Sequence, residues 1–285
     1  MQTNQIYPKI TVVTPSFNQG EFIEKTILSV INQGYPNLEY IIIDGGSTDN
    51  SVEIIKKYEN HLSYWVSEKD NGQSDALNKG FAKATGDLLC WINSDDYFLP
   101  DAFKIMSSHD WKDNVGAVVG IGHILNLNNE IIYTPNYYLP ITTRSLFNWC
   151  DGKDFMQPSC FFSKKAWETC GPFNTDLFFC MDVDFWIKVS KKFTIEGIDK
   201  EIAHAYSHEK AKTTAEEDKM RLETYLMISS HGGLKEARIG LTNFYNKFSM
   251  VRLNSLDVVE RFSLKKIIKL VFKKIQFLVT NKQKQ

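Results

Sequence analysis

The pattern that most constrains the fold is an alternation of short apolar runs with amphipathic segments along residues 1–120. We predict strands at Ile10–Thr14, Tyr40–Ile43, Leu62–Val66, Leu88–Ile92 and Val115–Val119. Between them we predict helices at Glu21–Asn32, Ser51–Tyr58 and Ser74–Ala84, where apolar residues recur at helical spacing. Strands that alternate with helices indicate a parallel sheet with crossover helices, an arrangement typical of nucleotide-binding domains.

The rest of the chain is predicted to be less regular and then helical. A hairpin around Asn126–Asn129, an aromatic region at Tyr133–Trp149 and a helix at Asp182–Lys191 predict a substrate-shaping part, residues 121–214, on the same sheet. Further helices are predicted at Glu216–Ser230, Leu234–Phe248 and Ser263–Val279. We therefore predict an α/β domain over residues 1–214 and a helical extension over residues 215–285.

The carboxyl-terminal segment is basic and amphipathic. Residues 261–285 contain eight Lys or Arg and no acidic residue, and Ser263–Val279 places its apolar side chains on one helical stripe. Such a helix can lie on an anionic membrane surface, or it can pack on its own domain with a solvated lysine face. The sequence leaves both alternatives open.

The composition of the chain limits the classes of protein to which it can belong. The 285 residues contain 33 Lys and Arg against 34 Asp and Glu, and the basic tail leaves the preceding residues acidic, which argues against a nucleic-acid-binding protein. No run of about 18 apolar residues occurs and Met1–Pro8 is polar, so we expect a cytoplasmic protein, peripheral on the inner face of the membrane if the tail binds lipid. The five cysteines form no C-x-x-C pair, which favours packed, reduced thiols.

Two adjacent carboxylates, Asp95 and Asp96, follow the apolar run Leu88–Ile92, and Pro100 and Asp101 then signal a helix start. Ligands of open α/β sheets bind at such corners, beyond the carboxyl ends of the strands. Like charges side by side repel, so a cation that both can face explains the pair well. The alternative is a solvated turn in which Asp96 caps the next helix.

Other polar corners follow the first three predicted strands, and in a parallel sheet they emerge at the same edge. After the first strand, in Thr14-Pro-Ser-Phe-Asn18, Pro15 and Asn18 suit a tight turn whose backbone and hydroxyls bind a ring or ribose, or an ordinary turn. In Asp44–Asp49 two glycines permit close backbone approach, so we expect Asp44 to be free to accept hydrogen bonds from a base or ribose. Gln73–Gly80 opens a helix with polar side chains toward the same cleft.

A second acid is available near the predicted helix Asp182–Lys191. Asp182 and Asp184 are candidates for accepting a proton from an attacking hydroxyl, with Asp182 the better placed, although either can also be a helix cap. His208 can supply an imidazole ligand to an ion held by Asp95, or it can be an inert surface histidine.

Together, several motifs resemble the family 2 glycosyltransferases, which have the GT-A fold, a Rossmann-like mixed sheet flanked by helices. The motifs are Thr14-Pro-Ser-Phe-Asn18, Ile43-Asp-Gly-Gly-Ser-Thr-Asp49, Gly72-Gln-Ser-Asp-Ala-Leu-Asn-Lys-Gly80, Asn93-Ser-Asp-Asp96, Gln157-Pro-Ser159 and Asp182-Val-Asp-Phe-Trp186, within residues 9–213. The resemblance implies inverting transfer from a nucleotide sugar, most often a UDP-sugar, with Mn²⁺ or Mg²⁺. A glycan or lipid-linked molecule is the expected acceptor.

The resemblance also implies residue roles. Asp182 is the expected base, Asp95 the metal carboxylate, His208 a residue near the metal and diphosphate, and Asp44 the nucleoside-binding acid. With these we assign Thr14, Pro15, Asn18, Asp75, Lys79 and Ser94 to donor binding, and Gln157, Asp184 and Trp186 to the acceptor side.

This chain departs from the family pattern at three positions. Gly45 follows Asp44 where the family often has a second acid, Met181 precedes Asp182 where it often has Glu, and Asn93 replaces an Asp. Two other function classes stay open: a catalytically silent module that binds sugar nucleotides or membranes, and a sugar nucleotidyltransferase. The second is disfavoured because the sequence has no glycine-rich, basic phosphate loop.

Overall fold

A computed structural model describes residues 7–135, 139–208 and 216–252. They form one mixed sheet in the spatial order β3-β2-β1-β4-β8-β6-β9-β5, with β7 paired to β6. The strands are β1 (Ile10–Ser16), β2 (Leu38–Asp44), β3 (Tyr64–Ser67), β4 (Leu88–Trp91), β5 (Asp96–Phe98), β6 (Val115–Leu125), β7 (Ile131–Tyr133), β8 (Cys160–Ser163) and β9 (Thr194–Tyr206). The predicted mixed α/β architecture is confirmed, and β6 and β7 form the predicted hairpin.

Helices cover both faces of the sheet. They are α1 (Ile23–Ile31), α2 (Ser51–Lys57), α3 (Gln73–Phe81), α4 (Ala102–Ser107), α5 (Thr143–Leu146), α6 (Lys164–Cys170), α7 (Met181–Ser190), α8 (Glu217–Ser230) and α9 (Leu234–Arg252). Alternate residues of β1 show the two layers, because Val12 packs with α1, α2 and α4 while Val13 packs with α3, α7 and α8.

The two final described helices belong to the same core as the sheet. Tyr225 and Ile228 of α8 and Ala237 of α9 are buried in the cluster that contains Trp91 and Trp186. The predicted helix Ser263–Val279 lies outside the described residues. Within the described part of the chain, no helix is both long enough and apolar enough to cross a membrane. All five cysteines are free thiols.

Strand directions bring the amino end of α7 to the edge where β1 to β4 end, which we call the carboxyl edge. Strands β1 to β4 run parallel. β8 is antiparallel to both β4 and β6, and β9 is parallel to β6, so β9 points the same way as β4. Because α7 ends at Ser190, shortly before β9 begins at Thr194, the helix runs back across the sheet and starts at the carboxyl edge.

A buried carboxylate at the opposite edge joins the starts of several strands. Glu39 accepts hydrogen bonds from Lys9 Nζ at 2.9 Å, from Thr11 Oγ1 at 2.6 Å, and from the amide and hydroxyl of Thr85 at 2.7 Å each. Burial by itself raises the pKa of Glu39, but these hydrogen bonds outweigh it and lower the pKa to about 2.

Candidate active site

The corner after β1 is tied to the corner after β2 by hydrogen bonds in both directions. The amide of Asn18 donates to Ser47 Oγ at 2.8 Å, and Asn18 Oδ1 accepts from the amide of Thr48 at 2.8 Å. Gly20 donates its amide to Asp49 Oδ2 at 2.9 Å. Asn18 has a positive φ of 52°, a conformation that Asn adopts more readily than most residues. The two corners therefore form one rigid unit.

Asp44 holds its own loop in place. Its carboxylate accepts hydrogen bonds from the amides of Gly46 and Ser47 at 3.1 and 2.9 Å, and from the hydroxyls of Ser47 and Ser67 at 2.5 and 2.7 Å. The residue has no exposed surface. The expectation that Asp44 is free to bind a base or ribose is therefore wrong for this structure, because β3 and the loop supply donors that the sequence pattern did not show.

Three further donor-binding candidates, Thr14, Pro15 and Ser94, are buried inside the fold. Thr14 and Pro15 belong to β1 and are not in a turn, and the buried hydroxyl of Thr14 lies 3.1 Å from Tyr40 Oη. Thr14 therefore presents no hydroxyl to a ligand, contrary to expectation. Ser94 is also buried and donates to the carbonyl of Pro15 at 2.9 Å, which links the corner after β4 to β1.

Asp95 and His208 meet at the carboxyl edge, as predicted. Asp95 Oδ2 lies 3.1 Å from His208 Nε2, although the residues are far apart in the chain. The imidazole stacks on Phe22 with a centroid distance of 4.6 Å and an interplanar angle of 20°. His208 Nδ1 is buried and has no hydrogen-bond partner among the described residues. The ring is thus fixed by packing, with Nε2 directed at Asp95.

This pair fits two ligands of one divalent ion. In an octahedral site with bonds of about 2.1 Å, neighbouring ligand atoms lie about 3 Å apart, which matches the Asp95–His208 spacing. Carboxylate oxygen and imidazole nitrogen are also suitable donors for Mn²⁺, and the carboxylate for Mg²⁺. The described residues contain no group of three or more His, Cys, Asp or Glu side chains arranged for a metal, so the pair would leave other positions to a ligand.

Asp96 faces away from Asp95 into the protein. It begins β5, pairs with β9 and accepts a hydrogen bond from Asn93 Nδ2 at 3.0 Å. Burial, and then the charge of Asp95, raise the pKa of Asp96 well above its ordinary value. Asp96 does not cap the next helix, because α4 starts after Asp101. Burial and the charge of Asp95 therefore both disfavour the charged form of Asp96, which the sequence pattern did not indicate.

Asp182 lies in the first turn of α7, at the carboxyl edge. One helical turn further along, Trp186 stacks on Trp91 with a centroid distance of 5.5 Å and an interplanar angle of 10°. Residues four apart share a helix face, so Asp182 lies on the side of α7 that faces the end of β4, beyond which Asp95 follows. Asp182 is half-buried, and its Oδ1 accepts from the amide of Val183 at 2.8 Å.

The structure contradicts the placement of Asp184 and Trp186 on the acceptor side. Trp186 is fully buried in the core against Trp91. Asp184 is buried, forms an ion pair with Lys188 Nζ at 2.7 Å and shares a hydrogen bond of 2.7 Å with His231 Nε2. Burial opposes the ionisation of Asp184, but these partners outweigh it and lower the pKa of its carboxyl group. Both side chains therefore hold α7 in the fold.

The other candidates lie on elements around the same edge. Gln157 Nε2 donates to the carbonyl of Trp91 at 2.9 Å, which brings the segment before β8 to the end of β4. On α3, Lys79 contacts Glu68 at 3.1 Å and Asp75 at 3.5 Å, and these carboxylates raise the pKa of Lys79.

Sequence reasoning missed one contact at this edge, between side chains of two motifs. Gln73 Nε2, at the start of α3, donates to Asn93 Oδ1 at 2.7 Å. Both residues stand in motifs that the sequence analysis quoted, so the signal was present, but nothing in the pattern paired them.

The profile of glycosyl transferase family 2 matches residues 11–170, more than half of the chain. This protein belongs to that family. It is a glycosyltransferase, as the sequence motifs predicted, and the match includes the corners after β1 to β4 but not Asp182 or His208.

Two curated relatives each match about a third of this chain. An uncharacterized glycosyltransferase of Mycobacterium tuberculosis is 44% identical over 92 residues, which are 32% of this chain and 35% of that protein. TuaG of Bacillus subtilis, a putative teichuronic acid biosynthesis glycosyltransferase, is 36% identical over 102 residues, 34% of this chain and 40% of that protein. The match thus spans less than half the length of these relatives.

Solved structures share the fold over most of the chain. Staphylococcus aureus TarS 1-349 in complex with UDP-GlcNAc has a TM-score of 0.63 at 17% identity, covering 89% of this chain and 77% of that chain. The mannosyltransferase PcManGT from Pyrobaculum calidifontis, in complex with GDP-Man and Mn²⁺, has a TM-score of 0.59 at 16% identity, covering 97% and 84%. At these identities the likeness concerns the fold, which is the predicted GT-A fold.

Proposed function

We propose that this glycosyltransferase moves a sugar, with inversion, from a UDP-sugar to a hydroxyl of a glycan or lipid-linked acceptor in cell-surface polysaccharide synthesis. The observation that carries this proposal is the Asp95–His208 pair at the carboxyl edge, where α7 also begins with Asp182. The UDP-GlcNAc complex of TarS and the name of TuaG support the donor class and the biological setting.

Asp95 and His208 are proposed to hold the divalent ion, and the Mn²⁺ complex of PcManGT supports this class of cofactor. A bound Mn²⁺ or Mg²⁺ stabilises the charge that develops on a departing diphosphate. The stacking of Phe22 on His208 keeps the imidazole from rotating away from Asp95. Asn18, Asp75 and Lys79 stay proposed donor-binding residues, and Asp44 acts by fixing the loop Gly45–Ser47.

Asp182 is proposed as the base. Its carboxylate accepts the proton of the acceptor hydroxyl while that oxygen forms a bond to the anomeric carbon. The bond from the anomeric carbon to the diphosphate oxygen breaks on the opposite face, and the electron pair leaves with the diphosphate. Attack opposite the leaving group inverts the configuration. Gln157 is a proposed acceptor-side residue because it lies against the end of β4.

The decisive experiment replaces the base. Asp182→Asn keeps the size of the side chain but removes its basicity, so turnover should fall by about 10²- to 10⁴-fold. Affinity for UDP should stay unchanged, because the substitution leaves the Asp95–His208 pair intact. Release of UDP from a panel of sugar nucleotides measures turnover, and calorimetry measures binding.

Asp176→Asn is the matched control, since it removes an exposed carboxylate shortly before α7. Full turnover by Asp182→Asn would rule out the base assignment. Binding without release of nucleoside diphosphate from any donor in the wild-type protein would instead indicate a silent binding module.

The location of the protein is a separate proposal. We infer a cytoplasmic enzyme whose tail, residues 261–285, contacts an anionic membrane surface through its eight basic side chains. The support is the charge pattern of the sequence, and the tail lies outside the described residues.

A further inference from the structure

We propose that Glu223, on α8, is a positioning residue that fixes the amino end of α7 and with it Asp182. This proposal rests on the proposed role of Asp182 as the base. It assigns part of the catalytic geometry to the helical extension, which lies beyond the residues matched by the family profile.

Three backbone amides converge on the Glu223 carboxylate. Oε1 accepts from Phe178 at 2.8 Å, and Oε2 accepts from Phe179 at 2.6 Å and from Cys180 at 3.1 Å. These are the three residues immediately before α7, so Glu223 binds the segment that leads into the helix. Asp182 follows Cys180 by two residues and has little freedom once this segment is fixed.

Glu223 satisfies one of the unpartnered amides at the amino end of α7, that of Cys180. The first amides of a helix have no partner within the helix, and a Ser, Thr, Asp or Asn before the first turn often satisfies one of them. Here Cys180 occupies that position and makes no side-chain cap. The negative charge of Glu223 also complements the partial positive charge at the start of α7.

The same part of the extension holds α7 at a second point. His231, directly after α8, binds Asp184 through Nε2 at 2.7 Å, and its carbonyl accepts from Lys191 Nζ at 3.1 Å. Glu223 and His231 therefore contact α7 near its first residue and near its last residue. The Glu223 contacts lie on the segment that leads into the site, so their loss should displace Asp182 while the core contacts of α7 persist.

A positioning role predicts a specific kinetic signature. Loss of Glu223 should lower kcat, because misplacing a reacting group by about 1 Å can cost about 10²-fold in rate. The KM for the donor and the Kd for UDP should stay as in the wild type, because Asp95 and His208 are on other elements. A carboxylate that only stabilises the fold would instead leave kcat unchanged well below the unfolding temperature.

The test compares Glu223→Ala and Glu223→Gln with Asp218→Asn, a control that removes an exposed carboxylate from the same helix. We expect kcat to fall by about 10- to 100-fold in Glu223→Ala. It should fall less in Glu223→Gln, because the amide oxygen of Gln still accepts hydrogen bonds. It should not change in the control. Thermal unfolding identifies any variant that fails to fold. If Glu223→Ala does not fold, Glu223→Gln carries the comparison alone.

A double variant separates positioning from a general loss of activity. In the Asp182→Asn background, Glu223→Ala should cause no further loss of the residual kcat, because the group that it positions is already absent. Wild-type kcat in both Glu223 variants, or an undiminished additional loss in the double variant, would overturn this proposal. Full activity of Asp182→Asn would instead overturn the proposed base, so the two failures are distinguishable.

Discussion

Replacing Glu39 by Gln should destabilise the protein near neutral pH. It should also remove one cause of the fall in the free energy of unfolding at acidic pH. All four hydrogen bonds to Glu39 come from donors on Lys9, Thr11 and Thr85, so an amide nitrogen in place of one oxygen would face donors instead of an acceptor. The variant keeps the shape of the side chain but loses its charge. Because Glu39 lies at the edge opposite the candidate site, stability should change without loss of UDP affinity.

The magnitude follows from the pKa of Glu39. Its ordinary value of 4.5 is lowered to about 2 in the folded protein. Since a tenfold change in an ionisation constant corresponds to about 1.4 kcal/mol, the ionised carboxylate contributes about 3 kcal/mol to the free energy of unfolding. A group whose pKa is lowered by folding contributes its full stabilisation at pH values above its pKa in the unfolded state. This stabilisation is lost as the pH falls through the pKa of the folded state. About 1 kcal/mol should remain near pH 3.

Urea unfolding of the wild type and Glu39→Gln, measured at several pH values, tests this reasoning. The difference in unfolding free energy between the two proteins should shrink from about 3 kcal/mol near pH 7 as the pH falls below about 4.5. A difference that is constant over this pH range would refute the coupling of Glu39 ionisation to stability, and a difference near zero at neutral pH would refute its size.

Two further predictions concern the metal and the tail. Asp95→Asn should weaken UDP binding in the presence of Mn²⁺ or Mg²⁺ by about tenfold or more, a loss typical of impaired metal binding. In the presence of a chelator the substitution should have no effect. Calorimetry that shows equal losses of affinity in both conditions would argue against a metal-binding role. Deletion of residues 261–285 should reduce sedimentation with anionic vesicles but not with neutral ones, because the tail carries eight basic residues. Unchanged sedimentation with anionic vesicles would favour a tail helix that packs on its own domain.

Strands β1 to β4 and β6 could be predicted because each depends on local apolar patterning, and the shared edge followed from the parallel order of β1 to β4. Strands β5, β8 and β9 were not predicted. The Asp95–His208 contact was expected from the family resemblance, which places a late histidine near the metal carboxylate. The partners of Asp44 could not be predicted, because Ser67 reaches it from a neighbouring strand. Trp186 was assigned to the acceptor side with the motif Asp182–Trp186, but its stacking on Trp91 joins segments far apart in sequence.

The role of Glu223 could not be predicted either, because its partners are far from it in the sequence. A carboxylate on an amphipathic helix is ordinarily solvated, and only the fold shows that three amides from a distant loop point toward it. Side chains that position other groups depend on tertiary geometry more than on motif spacing. The sequence motifs therefore contain the residues that are proposed to react, whereas the residues that position them become visible only in the fold.

The main strand order ends on both sides in a short strand. β3 spans four residues and β5 three, and they form the two ends of the main strand order. An unpaired strand edge can template the addition of a foreign strand, and a short edge offers few free amides and carbonyls for it. β3 and β5 therefore each offer only a short stretch of unpaired backbone to a foreign strand.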